Sequence, residues 1–448
     1  MSPAPDPGRA DRHLPERSQR RERLLRALID EVALSGYRAT TIGQITARAQ
    51  VSRTTFYEHF THKLDCFLAA FRELAEQLAG RVQRDLARSR HLNGAAVGLG
   101  PLFDLAEHER SSAVILLHEP AAAGIPATDE RDRLLSRIEQ ALELEWHGAP
   151  DGLPVPNLPA RALVGAAARE LAIRLHRREP VGELRQELAG WSASYIEASP
   201  ADRRAACDGP PAPAGSLVAS RLRGRADSAP ATSPRPAQSE RIARAVAELA
   251  ERASYPQVTV TGIAARAGVN REAFYRHFTD KESAYIAALR LVFEGAIAAT
   301  AAGFFGPRDW RERVWNGLQG LLGFLDGERA LAHIALAEPY AVGPEAIELI
   351  IEKQLGFSLF LEDGRGYEAG SERASGVPSN LIVCAIFELL ARQLRERPED
   401  SLISLLPEVT YVALAPFVGA DAATDFVTRK VRVRRVRQPG PQLPRERG

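Results

Sequence analysis

The stretch SRTTFYEHFTHK, Ser52 to Lys63, returns as NREAFYRHFTDK from Asn270 to Lys281. Setting Phe56 on Phe274 fixes an offset of 218, and from Thr41 to Lys63 this ungapped register matches 13 of 23 positions. Thr41/Thr259, Ile45/Ile263, Arg48/Arg266, Val51/Val269, Arg53/Arg271, Tyr57/Tyr275, His59/His277 and Lys63/Lys281 are among the matches. Further on, LHEPAAAG from Leu117 answers LAEPYAVG from Leu336 at an offset of 219, and Glu170-Leu171 answers Glu388-Leu389 at 218. The repeated unit is therefore about 200 residues long, the size of a whole small protein. A chain of 448 residues is also too long for one ordinary core. Two related units in tandem are predicted.

Within each unit the apolar spacing is helical. Leu24, Leu25, Leu28, Ile29 and Val32 make one stripe, and Gly36 ends it as a C-cap. Thr41 is placed to cap a short helix over Ile42–Ala49, Gln50-Val51-Ser52 forms a tight turn, and Ser52 or Asn270 caps a second short helix. Helix, short helix, three-residue turn and short helix is the geometry of a helix-turn-helix. No comparable stretch alternates with period two, so the expected fold class is all-α.

Charge supports a polyanion partner. Pro15–Lys63 carries a balance of +4 and Ser233–Lys281 a balance of +3, in a chain whose total is +1. Two basic modules thus sit in an otherwise acidic chain, the footprint of modules that alone meet a polyanion. The second short helix of such a module enters the major groove, where side chains divide into base readers and phosphate clamps. Arg53 and Arg271, at the start of that helix, suit guanine O6 and N7. Ser52, Thr54, Thr55, Asn270 and Glu272 are the further candidate readers. Tyr57, Tyr275, His59, His277, Lys63 and Lys281 are candidate phosphate donors, with Thr41 and Thr259 offering a hydroxyl and helix N-terminal amides. Phe56, Phe60, Phe274 and Phe278 are expected to pack the module together.

Other functions find little support. The chain has no HExxH, GxSxG, P-loop or GxGxxG, and His118-Glu119 runs into Pro120. No enzyme activity, cofactor or metal site is expected. Cys66, Cys207 and Cys384 are far apart and odd in number, against a disulfide framework. The N-terminus lacks the apolar core of a secretory signal and no apolar run reads as a membrane span, so a cytoplasmic protein with no membrane partner is expected. Trp146, Trp191, Trp310, Trp315, Phe304, Phe305 and Phe324 are more readily core packing than the walls of a ligand cavity.

Both units resemble the TetR family of bacterial transcriptional regulators, through TTIGQITARAQVSRTTFYEHFTHK and TVTGIAARAGVNREAFYRHFTDK. The resemblance implies a three-helix DNA-binding domain, then a helical core that binds a small effector and dimerises through its last helices. The function expected is a sequence-specific regulator of transcription, a ligand-responsive repressor on a double-stranded DNA operator; the rival is an architectural DNA-binding protein without a ligand. Expected boundaries are a disordered N-terminus at 1–15, DNA-binding domains at 16–63 and 239–281, cores at 64–198 and 282–428, a flexible linker at 199–238 and a basic tail at 429–448. The tail reads as a basic disordered segment, with an edge strand as the alternative. Most members have one unit, and the turn glycine Gly36 is replaced in the second copy by Ser254-Tyr255-Pro256. A linker of about 40 residues spans on the order of 35 Å and holds the cores at roughly millimolar effective concentration, so they are expected to pair as an intramolecular pseudo-dimer, with a homodimer as the alternative.

Overall fold

A computed structural model describes residues 7–89, 98–147, 157–196, 237–253, 255–336, 342–366 and 378–437. The fold is all-α. The first unit runs α1 (Pro7–Ala39), α2 (Ile42–Ala49), α3 (Arg53–His59), α4 (Lys63–Ser89), α5 (Gly100–His108), α6 (Arg110–Ala113), a π-helical turn (Val114–His118), α7 (Pro120–Ala123), α8 (Ile125–His147), α9 (Ala160–Arg177) and α10 (Gly182–Ala193). The second runs α11 (Gln238–Ala253), α12 (Val260–Ala267), α13 (Arg271–His277), α14 (Lys281–Phe304), α15 (Trp310–Gly327), α16 (Arg329–Leu336), α17 (Pro344–Glu362), α18 (Ser379–Glu396), α19 (Leu406–Val418) and α20 (Ala420–Arg437).

The stripe on α1 does what its spacing implies: Leu24, Leu25, Leu28 and Val32 are buried, and Gly36, at φ 81°, breaks the helix. A side chain with a Cβ is strained at that angle. In the second unit the same place is a 3₁₀ turn, Tyr255–Gln257. Tyr37 and Tyr255 occupy matching positions and each meets an aromatic of the following long helix, Phe67 at 5.1 Å and Tyr285 at 4.9 Å between ring centroids. Helices α4 and α14 then carry each module onto its core. The α14–α15 contact is backbone to backbone: a Cβ built on Gly303 would lie 2.2 Å from the carbonyl oxygen of Asn316, and one on Gly320 2.4 Å from that of Ala299.

The two units pair along α9 and α18. Small residues allow the close approach, for Ala162, Gly165, Ala166, Cys384 and Ala385 are buried there and a Cβ on Gly165 would meet the Glu388 side chain at 2.6 Å. Ion pairs flank this seam: Arg395 reaches Asp132 at 2.6 Å, Arg392 reaches Glu139 at 2.5 Å and Arg177 reaches Glu348 at 2.8 Å, while Arg161 grips Glu408. The Tyr195 hydroxyl donates to the Val412 carbonyl at 2.6 Å.

Several expectations need correction. The N-terminal 1–15 is not wholly irregular, because α1 begins at Pro7, where a residue without an N–H is well suited to the first helical position. The tail 429–448 is neither strand nor disordered through Arg437, because α20 extends that far. Val427 and Val431 are four apart and lie against the core beside Phe426, and Lys430 pairs with Glu312, so helical spacing overrides the Val/Arg alternation. Most of the linker 199–238, with Cys207, lies outside the described residues, and α11 opens at Gln238. Cys66 and Cys384 are buried free thiols. Among the described residues one helix, α14, is long and apolar enough to cross a membrane by length and composition; here it is the core helix on which α11, α15 and α17 pack.

Candidate nucleic-acid interface

Each module is held by its caps. The Thr41 hydroxyl accepts from the Gln44 amide at 3.3 Å while the Gln44 side chain accepts from the Thr41 amide at 2.8 Å, a reciprocal capping box. Thr259 accepts from Gly262 N at 3.1 Å. The first short helix ends in a left-handed residue in both copies, Gln50 at φ 53° and Gly268 at φ 66°. Ser52 accepts from Thr55 N at 3.0 Å and Asn270 from Ala273 N at 2.7 Å, so both residues start the second short helix as N-caps. The Thr55 hydroxyl is also joined to that of Ser52, 3.0 Å away.

The second helices sort their side chains by face. Phe56, Phe60 and Phe274 are buried and Phe278 is half-buried, while Arg53, Thr54, Glu58, Arg271, Glu272 and Arg276 are exposed. Tyr57 is 58% and Tyr275 50% exposed, and they are the exposed aromatics among the described residues. Arg53 makes no ion pair with a described residue, and its guanidinium folds towards Gly43. Arg271 lies 6.0 Å from the Tyr275 ring centroid. Arg48 and Arg266, matched in the repeat, instead tie the first short helix to the helix before it through Glu31, at 2.6 Å, and Glu248.

His277 and the two lysines have partners inside the protein, whereas the buried His59 Nε2 has no hydrogen-bond partner among the described residues. Burial, then the nearby Arg17, hold the His59 imidazole below its ordinary pKa, and Arg17 approaches the Glu58 carbonyl at 3.5 Å. His277 Nε2 lies 3.2 Å from Gln238 Oε1. Lys63 donates to the carbonyls of Tyr37 and Thr40 at 2.6 and 2.7 Å and stands 4.1 Å from the Tyr37 ring centroid. Lys281 does the same in the second unit, donating to Tyr255, Pro256 and Val258 at 3.3, 3.2 and 2.9 Å and lying 4.6 Å from the Tyr255 ring. Both lysines therefore clasp the C-terminal end of the module's first helix and the turn after it, where unsatisfied carbonyls favour a cation. Lys63 has a third N–H beyond these two bonds.

A contact invisible in the sequence joins core to module. Glu119, buried in the LHEP segment, accepts from the Tyr37 amide at 2.8 Å. Burial raises its pKa, against the pull of that N–H, Arg38 and Lys63. Arg38 in turn lies 4.8 Å from the Tyr255 ring of the second module. Among the described residues no cluster of three His, Cys, Asp or Glu is placed to hold a metal.

Two capped helix-turn-helix modules, each carried by a long helix onto its own core, define a tandem protein with two similar DNA-binding-type units. Residues 24–70 and 242–291 each match the family model of bacterial regulatory proteins, tetR family. Both modules are thus similar to the DNA-binding domain of this family, which the chain carries twice in tandem. It is 34% identical over 144 residues to the HTH-type transcriptional activator FasR of Mycolicibacterium smegmatis, an alignment covering 30% of this chain and 65% of that protein. Thus the chain spans just under two thirds of the length of this relative. Among solved structures, the fatty acid degradation regulator FadR from Bacillus halodurans is 18% identical, covering 41% of this chain and 97% of that one at a TM-score of 0.35. A tetR-family regulatory protein from Rhodococcus RHA1 is 21% identical, covering 42% and 98% at a TM-score of 0.35.

Proposed function

We propose that the chain is a sequence-specific, double-stranded-DNA-binding regulator of transcription that presents two non-identical recognition helices from one polypeptide. The observation that carries this reading is the paired exposure of Tyr57 and Tyr275 beside Arg53 and Arg271 on capped helices of matching geometry. A module selected only for packing would bury those rings. Arg53 and Arg271 read guanines, Thr54, Thr55 and Glu272 face neighbouring bases, and Tyr57, Tyr275, His59, His277, Thr41, Thr259 and the lysines serve the backbone. Ser52 and Asn270 act through the helix start that they cap. Pairing along α9 and α18 supports an intramolecular pseudo-dimer as the DNA-binding species.

For effector control, the feature that offers a starting point is an apolar pocket in the second core. It has about 40 Å³ of free interior and is lined by Thr300, Phe304, Leu318, Phe357, Phe360 and Phe387 among others. An apolar effector suits these walls. Of the aromatics weighed from the sequence, Phe304 lines it, whereas Trp191, Trp310 and Trp315 are buried in packing. As a cytoplasmic repressor the protein would release its operator on binding the effector. The reading assigns it no catalytic step.

The test is selection of duplexes from a random pool, followed by binding as a function of salt. The reading expects one enriched site and a log–log slope of roughly 0.9 per phosphate neutralised. Arg53→Ala should relax preference at one base pair by ~1–3 kcal/mol. No enrichment, or an unchanged preference in Arg53→Ala, would contradict it.

A further inference from the structure

The seam between the two units contains a cleft that neither the modules nor the apolar cavity uses. It is a narrow cleft open to solvent, with about 20 Å³ of free interior, walled by Leu117, Pro120, Ala121 and Leu336, with Arg131, Arg169, Arg395, Glu388 and His118 at its polar side. Leu117 and Leu336 are the matching first residues of the LHEP and LAEP segments, so both units supply a wall.

Its polar side is a shared ion cluster. Glu388 lies 3.4 Å from Arg131, 3.4 Å from Arg395 and 3.6 Å from Arg169. Asp132 is shared by Arg131, at 3.3 Å, and Arg395, at 2.6 Å. The Glu388 carboxyl is held down to about 2 despite its burial, by Arg131, Arg395 and Arg169. Glu170 is not a spare partner, for it pairs with Arg174 and accepts from Cys384. Arg169 is the least satisfied member: it is 2% exposed, its Nη2 donates to the Leu336 carbonyl at 3.2 Å, and its Nε and Nη1 have no hydrogen-bond partner. A buried guanidinium with unused N–H groups is costly unless an anion completes it.

The geometry points to an oxyanion site in this cleft, taking the carboxylate or phosphate head of a small acid whose body lies on Leu117, Pro120, Ala121 and Leu336. The guanidinium fork of Arg169 fits two oxygens of such a head. Its position also gives it a route to DNA. The wall formed by Leu117, His118, Pro120 and Ala121 flanks Glu119, which holds the Tyr37 amide of the first module. That wall begins as the π-helical turn Val114–His118, a geometry that recurs at functional sites. An anion that fixes this segment biases the modules only by its differential affinity for their arrangements. The coupling rests on the DNA-binding reading above, whereas the site does not.

Calorimetric titration of the full chain, without DNA, tests the site with inorganic phosphate and with propanoate, each against chloride at equal ionic strength. Saturable binding of one or both to one site per chain, weakened at least about tenfold in Arg169→Gln, is expected. Phosphate alone would identify a phosphate ester as the ligand class, and propanoate alone a carboxylic acid. Arg395→Gln, whose guanidinium is less buried, gives the same loss should Arg169→Gln fail to fold. Binding of neither anion to the wild type, or equal affinity in the variants, overturns the site. Titrating the bound duplex with the active anion tests the coupling: affinity should shift about 5-fold or more, and no shift overturns the coupling while leaving the anion site standing.

Discussion

Replacing Lys63 with Met removes one ammonium and leaves the fold's apolar surfaces in place. Two charge-assisted hydrogen bonds, to Tyr37 and Thr40, are lost together with the stack on the Tyr37 ring. Hydrogen bonds to charged groups contribute about 1.5–3 kcal/mol each when buried. Lys63 is only half-buried, so about 1 kcal/mol each is the fair figure after solvent screening. A cation over a partly exposed ring adds ~0.5–1 kcal/mol. The first module should lose about 2–3 kcal/mol, equivalent to a roughly 30- to 150-fold rise in its open population. Amide hydrogen exchange reads this directly, because the peptides spanning Ile42–His59 report the first module and those spanning Val260–His277 report the second in the same sample. Exchange should quicken in the first and stay unchanged in the second. Equal exchange in wild type and variant would refute the clasp, and the lysine would then act on DNA alone.

Further outcomes are expected. Gln50 sits at φ 53°, where a non-glycine side chain costs about 1 kcal/mol, so Gln50→Gly should slow exchange of the first module several-fold without altering operator preference. Gly303→Ala forces a Cβ to 2.2 Å from the Asn316 carbonyl, so α14 and α15 should separate at a cost of ~1–3 kcal/mol in urea unfolding of the cores. Burial lowers His118 and His333 each to about 4. The folded state then binds fewer protons than the unfolded one below the ordinary imidazole value, so stability present above about pH 6.5 is lost as pH falls towards 4. Each histidine accounts for on the order of 3 kcal/mol of that loss, and urea midpoints at pH 7, 5 and 4 should fall less in His333→Gln than in wild type.

How much of this was legible in the sequence depended on how local the cause was. The caps Thr41, Ser52, Thr259 and Asn270 act within three residues of themselves, so their spacing named them before any coordinates did. Phe56 and Tyr57 are neighbours on one helix and both are repeated, so it is the residue type, apolar ring against phenol, within the helix-turn-helix pattern that separates the buried ring from the exposed one. Lys63 was legible as a repeated cation but not as a clasp, because its acceptors lie 26 and 23 residues upstream. Glu119 belonged to a repeated segment with no visible task, since the Tyr37 amide it holds is 82 residues away. The Val/Arg alternation of the tail suggested period two, yet the side chains that find the core are Phe426, Val427 and Val431, whose spacing only a tertiary partner selects.

The central claim is that one chain supplies both recognition helices to one operator. Ser52 is matched by Asn270, Thr54 by Glu272, Thr55 by Ala273 and Glu58 by Arg276, so the two half-sites should differ. In an ordinary dimeric regulator, two chains place their helices about 34–36 Å apart on a palindrome. The mass of the complex on the selected duplex, measured by sedimentation and read beside a footprint, tests the claim most directly. The account predicts one chain per duplex, covering two dissimilar half-sites; an obligate pair of chains on a perfect palindrome would contradict it.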